Sequence, residues 1–177
     1  SLKDIAPLVL MSIALAVVLF SFSFRESALK AWIYLLTAHL FIMSAVLFNT
    51  PHINLIEILF YATGVLLAFF LGYYCLHKIK AIDNDISLNR FHGYAYEQET
   101  TGFLFLLSAI GMLGFPLTTA FIGIDVLFIY VKSNQPGLII LMALCLIFIE
   151  LSAFRILLRI FFGPHKKLNH PVAFRSS

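Results

Sequence analysis

The sequence predicts an all-α membrane protein of about five transmembrane helices, the fourth of them broken near Gly114 and Pro116. Three observations carry that expectation. Of the 177 residues, 61% are hydrophobic and only 12% are charged, where a soluble domain carries about 25% charged residues. Apolar runs over residues 5–24, 29–48, 54–76, 101–131 and 137–162 are each long enough to cross a bilayer, given about 20 residues per span. The fourth run is interrupted in its middle by Gly111, Gly114, Pro116, Thr118, Thr119 and Gly123, followed by a carboxylate, Asp125.

The first run resembles a secretory signal in position, but it is long and no small-residue cleavage site follows it, so it reads as a true span. The chain begins at Ser1 and is expected to be a piece of something longer, a single transmembrane domain over residues 1–177. The second run places His39 near its midpoint. The third carries Glu57, one turn from Tyr61 and two from Gly64 and Val65. Residues 77–100 form the one sizeable polar connection, read as a solvated cytoplasmic loop near the headgroups. His77 and His92 in it have no second ligand at metal-binding spacing.

The fourth run is read as one broken helix, because splitting it at Pro116 leaves halves too short to span alone. Broken backbone at membrane depth is tolerated where protein or a water-filled cavity satisfies the freed groups. The fifth run holds Glu150 near its centre, with Arg155 and Arg159 toward its end, and residues 164–177 read as a cytoplasmic tail.

Charge sets the expected orientation. Arg25 and Lys30, then Lys78, Lys80 and Arg90, then Lys166, Lys167 and Arg175 fall on one side; only Lys3 and Lys132 fall on the other. The positive-inside rule puts the N-terminus outside and the C-terminus in the cytoplasm of a multi-pass protein, with a bacterial inner membrane as the expected setting. The small net charge of +3 gives no sign of nucleic acid as a partner. Cys75 and Cys145 each sit inside an apolar run and read as buried thiols.

Groups that ionise are expensive in hydrocarbon and mark functional sites. His39, Glu57, Asp125 and Glu150 lie in four different spans, the composition expected of a proton relay. Each has a plainer alternative. His39 is equally a neutral imidazole bonded to Thr37 or Thr63; Glu57 is near enough to the boundary to reach water; Arg155 and Arg159 can snorkel. Arg155 is the expected partner of Glu150.

Several segments, in order, resemble the antiporter-like membrane subunits of respiratory complex I and of multi-subunit sodium/proton antiporters. FRESALKAWIYLLTAHLF supplies Tyr34 and His39 at the family's separation, with Lys30 one residue closer than the family's lysine and Leu35 and Leu36 in place of a serine pair. YATGVLLAFFLGY keeps the stretch that ends at Gly72, but Gly64 stands where the family has a lysine. The broken helix matches through Gly114, Phe115, Pro116, Phe121 and Gly123, with Ile124 at the family's lysine position and Asp125 one place on. AFRILLRIFFGPHKK retains Arg155, Phe161, Phe162 and Gly163, with Phe154 for a tyrosine.

The resemblance implies the C-terminal five-helix repeat of such a subunit. It further implies proton (or proton/cation) translocation within a larger energy-coupling complex of the NADH:quinone oxidoreductase type, with other membrane subunits as partners. Lys30 would then serve as a charge partner in the relay. No cofactor is expected in this chain, since it has neither a cysteine cluster nor a dinucleotide loop, and redox chemistry would belong elsewhere. The alternative is a non-conducting or ion-coupled scaffold that anchors a cytoplasmic partner, such as an inorganic-carbon uptake protein. A haem-binding role would need two facing deep histidines, and only His39 is deep.

Overall fold

A chain in hydrocarbon must satisfy its own backbone, so long apolar runs become helices. The computed structural model describes residues 2–50, 54–114, 119–131 and 135–164. Its helices are α1 (Leu2–Ser23), α2 (Ala28–Asn49), α3 (Leu55–Ile82), α4 (Glu99–Met112), α5 (Thr119–Tyr130) and α6 (Pro136–Phe161), with a short 3-10 turn at Tyr94–Tyr96. No strand occurs among the described residues. Helices α1, α2, α3 and α6 are long and apolar enough to cross a membrane, and the protein is an all-α membrane protein as expected.

The fourth predicted span is two half-helices. At about 1.5 Å per residue, the 14 residues of α4 and the 12 of α5 each fall short of the roughly 30 Å of hydrocarbon. Helix α4 ends as many helices do, on a glycine in the left-handed region: Gly114 has φ 68. The Leu113 N–H donates to the Ala109 carbonyl at 3.2 Å and the Gly114 N–H to the Gly111 carbonyl at 3.3 Å. Pro116 and Thr118, also placed in the break by the sequence, lie outside the described residues, as does the tail beyond Pro164.

Both half-helices pack on α3. Its buried face runs through Tyr61, Gly64, Val65, Ala68 and Gly72, with small residues four apart at 64, 68 and 72 that let backbones approach closely. A Cβ on Gly111 would stand 3.0 Å from the Ala68 Cβ, and one on Gly123 would run into the Tyr61 backbone. Gly111 and Gly123 therefore meet α3 at Ala68 and Tyr61, to either side of Gly64 and Val65. Polar side chains tie the helices through backbone carbonyls: Ser108 Oγ donates to Ala68 O at 2.7 Å and Trp32 Nε1 to Phe69 O at 3.0 Å. Across α1, α2 and α6, Ser21 Oγ donates to Ala31 O at 2.8 Å and lies 3.0 Å from Ser152 Oγ.

The connection after α3 departs from the expected solvated loop. Ile86, Leu88, His92 and Tyr94 are buried. The Ala28 N–H donates to Ile86 O at 2.9 Å, the Leu88 N–H to Arg25 O at 2.7 Å, and the His92 N–H to Arg159 O at 2.8 Å. The reason is the orphan backbone groups at helix ends, which need partners. Ser27 at the N-cap of α2 makes no side-chain cap bond, and the loop supplies an acceptor instead. The loop is a strap across the end of the bundle where α1, α3 and α6 finish and α2 starts.

Candidate functional site

Starting from the middle of the bundle, His39 on α2 is buried, and its Nδ1 lies 2.5 Å from the Tyr61 hydroxyl on α3. The rings are 5.7 Å apart. Neither threonine expected as its partner serves: Thr37 and Thr63 donate to the Ile33 and Leu59 carbonyls of their own helices. The other nitrogen, Nε2, has no hydrogen-bond partner among the described residues. The backbone of Met112, the last residue of α4, lies near enough to act on the ring electrostatically. An imidazole with one nitrogen fixed and the other free, under a helix end with orphan carbonyls, can bind and release a proton or a water.

One turn along α3 from Tyr61 stands Glu57. It does not simply reach water: the Tyr130 hydroxyl of α5 donates to its carboxylate. The Asn54 N–H reaches Tyr130 Oη at 3.3 Å. Around it, Asn49 Nδ2 and Thr50 Oγ1 donate to the Tyr130 carbonyl at 3.2 and 3.1 Å. Asn49 and Gln135 exchange hydrogen bonds at 3.0 and 2.9 Å. This polar clasp gathers the ends of α2 and α5 and the starts of α3 and α6. His39–Tyr61 and Glu57–Tyr130 are thus two hydrogen-bonded pairs set one helical turn apart on α3, the rungs of a ladder from mid-bundle toward one membrane end.

The other predicted residues lie elsewhere. Asp125 and Glu150 are exposed on the outer surfaces of α5 and α6, and neither makes an ion pair or hydrogen bond among the described residues. Arg155 does not meet Glu150. Its Nη1 donates to the Phe22 carbonyl in the last turn of α1, with the guanidinium 5.4 Å from the Phe22 ring centre. Five residues of helix turn Arg155 about 140° away from Glu150, which explains the missed pairing. Lys30 is exposed at the start of α2. Gly114 and Gly123 bracket the break as expected, and Thr119 opens α5, its side chain outside the described residues.

Tyr61 and Tyr130 were the functional candidates that sequence reasoning passed over. The available signal was the four-residue step from Glu57 to Tyr61, a polar pair on one face of an apolar helix. Among the described residues, no group of three or more His, Cys, Asp or Glu side chains is placed to hold a metal. His92 instead bonds the Ser87 carbonyl at 2.7 Å through Nε2 and stacks on Tyr94. No family model matches the chain, and no curated protein matches it.

Proposed function

We propose that this chain conducts protons, or protons with a cation, through the ladder of His39, Tyr61, Glu57 and Tyr130 as one module of a larger membrane complex. The single observation that carries the reading is the buried His39 ring, with Nδ1 on Tyr61 and Nε2 unpaired beneath the end of α4. A proton arriving at Glu57 passes by way of the Tyr61 hydroxyl to His39, and a water or a shift of the break takes it onward. The resemblance to antiporter-like subunits supports proton translocation with His39 as a relay, though it points to Asp125 and Glu150 rather than the two tyrosines as further carriers. It also supports an N-terminus outside, a C-terminus in the cytoplasm of a bacterial inner membrane, and neighbouring membrane subunits as partners.

A scaffold that anchors a cytoplasmic partner is the competing reading, and one observation favours it. Asp125 and Glu150 stand outside the ladder, and Gly64 puts no amine beneath the break. The two are separated by reconstituting the protein in vesicles and following internal pH with a dye. Conduction predicts that His39→Ala and Tyr61→Phe each lower proton flux by at least about tenfold, the factor equivalent to 1.4 kcal/mol. Glu57→Gln should behave likewise, whereas Asp125→Asn tests whether the break's own acid takes part. Unchanged flux in His39→Ala leaves the scaffold reading standing.

A further inference from the structure

Three arginines lie at the end of the bundle where α1 and α6 finish. Arg155 caps the Phe22 carbonyl of α1, and both Arg25 and Arg159 lie within electrostatic reach of it. Arg159 also sits over the Phe91 ring, 4.4 Å from its centre. The charges that act on Arg155 are thus like charges. Glu26, the nearest carboxylate in sequence, is exposed and makes no ion pair among the described residues. Glu150 points away around the helix. Arg155 and Arg159 are one turn apart on α6, and Arg25 follows the α1 turn that Arg155 caps. None of the three pairs with an acid among the described residues, so an anion is favoured there; guanidinium forks suit phosphate oxygens.

We propose that Arg25, Arg155 and Arg159 form a binding site for the phosphate of an anionic phospholipid. The rim selects a lipid over a free anion. Leu151 and Leu158, one turn to either side of Arg155, are 48% and 50% exposed, and Phe22 is 37% exposed. The Phe22 ring also packs edge-on against Phe148 at 6.1 Å. An acyl chain lying along α6 over Leu151 covers apolar surface while its phosphate rests among the arginines at the helix ends. Basic pockets between transmembrane helices hold anionic headgroups in this way. The site also joins α1 to α6, so its occupant braces the pair that the strap crosses.

The test uses the full chain purified in detergent, with phosphatidylglycerol, phosphatidylcholine and inorganic phosphate as probes. Retained lipid is read by native mass spectrometry and stability by the melting midpoint. Phosphatidylglycerol should be retained in preference to phosphatidylcholine and raise the midpoint. Each arginine near a membrane surface adds affinity worth about a fivefold factor. Arg25→Gln and Arg159→Gln should therefore each cut retention about fivefold. Arg155→Gln also removes the α1 cap and is the variant most prone to misfold. Arg25→Gln keeps the test decisive, because that side chain is exposed and bonds nothing among the described residues. Equal retention of the two lipids, or undiminished phosphatidylglycerol in Arg25→Gln, overturns the site. Inorganic phosphate that raises the midpoint as much as phosphatidylglycerol overturns the lipid assignment.

Discussion

At the scale of single residues, Gly123 decides whether the ladder is in register. A Cβ there would collide with the Cα and Cβ of Tyr61, and backbone atoms cannot rotate aside as the end of a flexible side chain can. Gly123→Ala therefore pushes α5 off α3 and tilts Tyr61 away from His39. Overpacking of this kind costs about 1–3 kcal/mol. The expected outcome is a lower melting midpoint in detergent, together with proton flux reduced toward that of Tyr61→Phe. A variant with the wild-type midpoint would show that α5 has room the close approach does not suggest. Val65, on the neighbouring face of α3, offers the control: Val65→Ala removes volume and leaves the approach of α5 unobstructed.

At the scale of elements, the strap is the part of the chain with a charge network of its own. Asp83 accepts from the Tyr94 hydroxyl at 2.6 Å and from the Asp85 N–H at 3.1 Å, and Arg90 lies 3.6 Å from it. Partial burial pulls its pKa up, but the Tyr94 and Asp85 bonds and the nearby Arg90 outweigh this and hold it below the usual carboxylate range. Asp85 is held low chiefly by the Ser87 N–H, at 2.9 Å, with help from Arg90 at 3.1 Å. A carboxyl whose folded pKa is depressed stabilises fully above its unfolded value of about 3.9, and that contribution fades as pH falls through the folded value. The strap should thus hold at neutral pH and loosen below about pH 4. Hydrogen exchange at the Ala28 and Leu88 amides reads this directly, and Asp83→Asn should give the loosened pattern at neutral pH. Exchange at neutral pH identical in wild type and Asp83→Asn would break the link between this network and the strap.

These elements also mark what the sequence made legible. The break was readable because a glycine such as Gly114, with φ 68, sets the local backbone whatever surrounds it. Long apolar runs likewise gave the spans to within a few residues, except that α3 continues past Leu76 to Ile82 on a polar last turn. The strap was not readable, since its composition is that of a solvated loop and its burial comes from capping α2 and crossing Arg159, contacts distant in sequence. His39 was found as a polar group in an apolar run, yet its partner was assigned to a threonine. A helical threonine satisfies itself on a carbonyl one turn back in its own helix, as Thr37 and Thr63 do, whereas a tyrosine hydroxyl reaches across to the next helix.

On the scale of the whole molecule, the outward carboxylates are the feature a lone chain in lipid explains least. Glu150 is the fifteenth of 26 residues in α6, so about 21 Å of helix lies before it and about 17 Å after it. Its side chain is too short to reach either boundary from there. A charge at such a depth costs about 3 kcal/mol on insertion scales, a cost that a protein surface covering the group would lower. Asp125 lies nearer its helix end but faces outward too, with Ile129 beside it. A hydrophobic carbodiimide, which reaches carboxyls that face lipid, tells a covered face from an open one. In the isolated chain, Glu150 and Asp125 should label readily, while Glu57, bonded to Tyr130, should label slowly. In native membranes, a neighbouring subunit seated on α5 and α6 should protect both outward acids, and Glu150→Gln should abolish the label at that position. Equal labelling in the native membrane and in the isolated chain would mean that these faces meet lipid, and that any proton path closes within this chain alone.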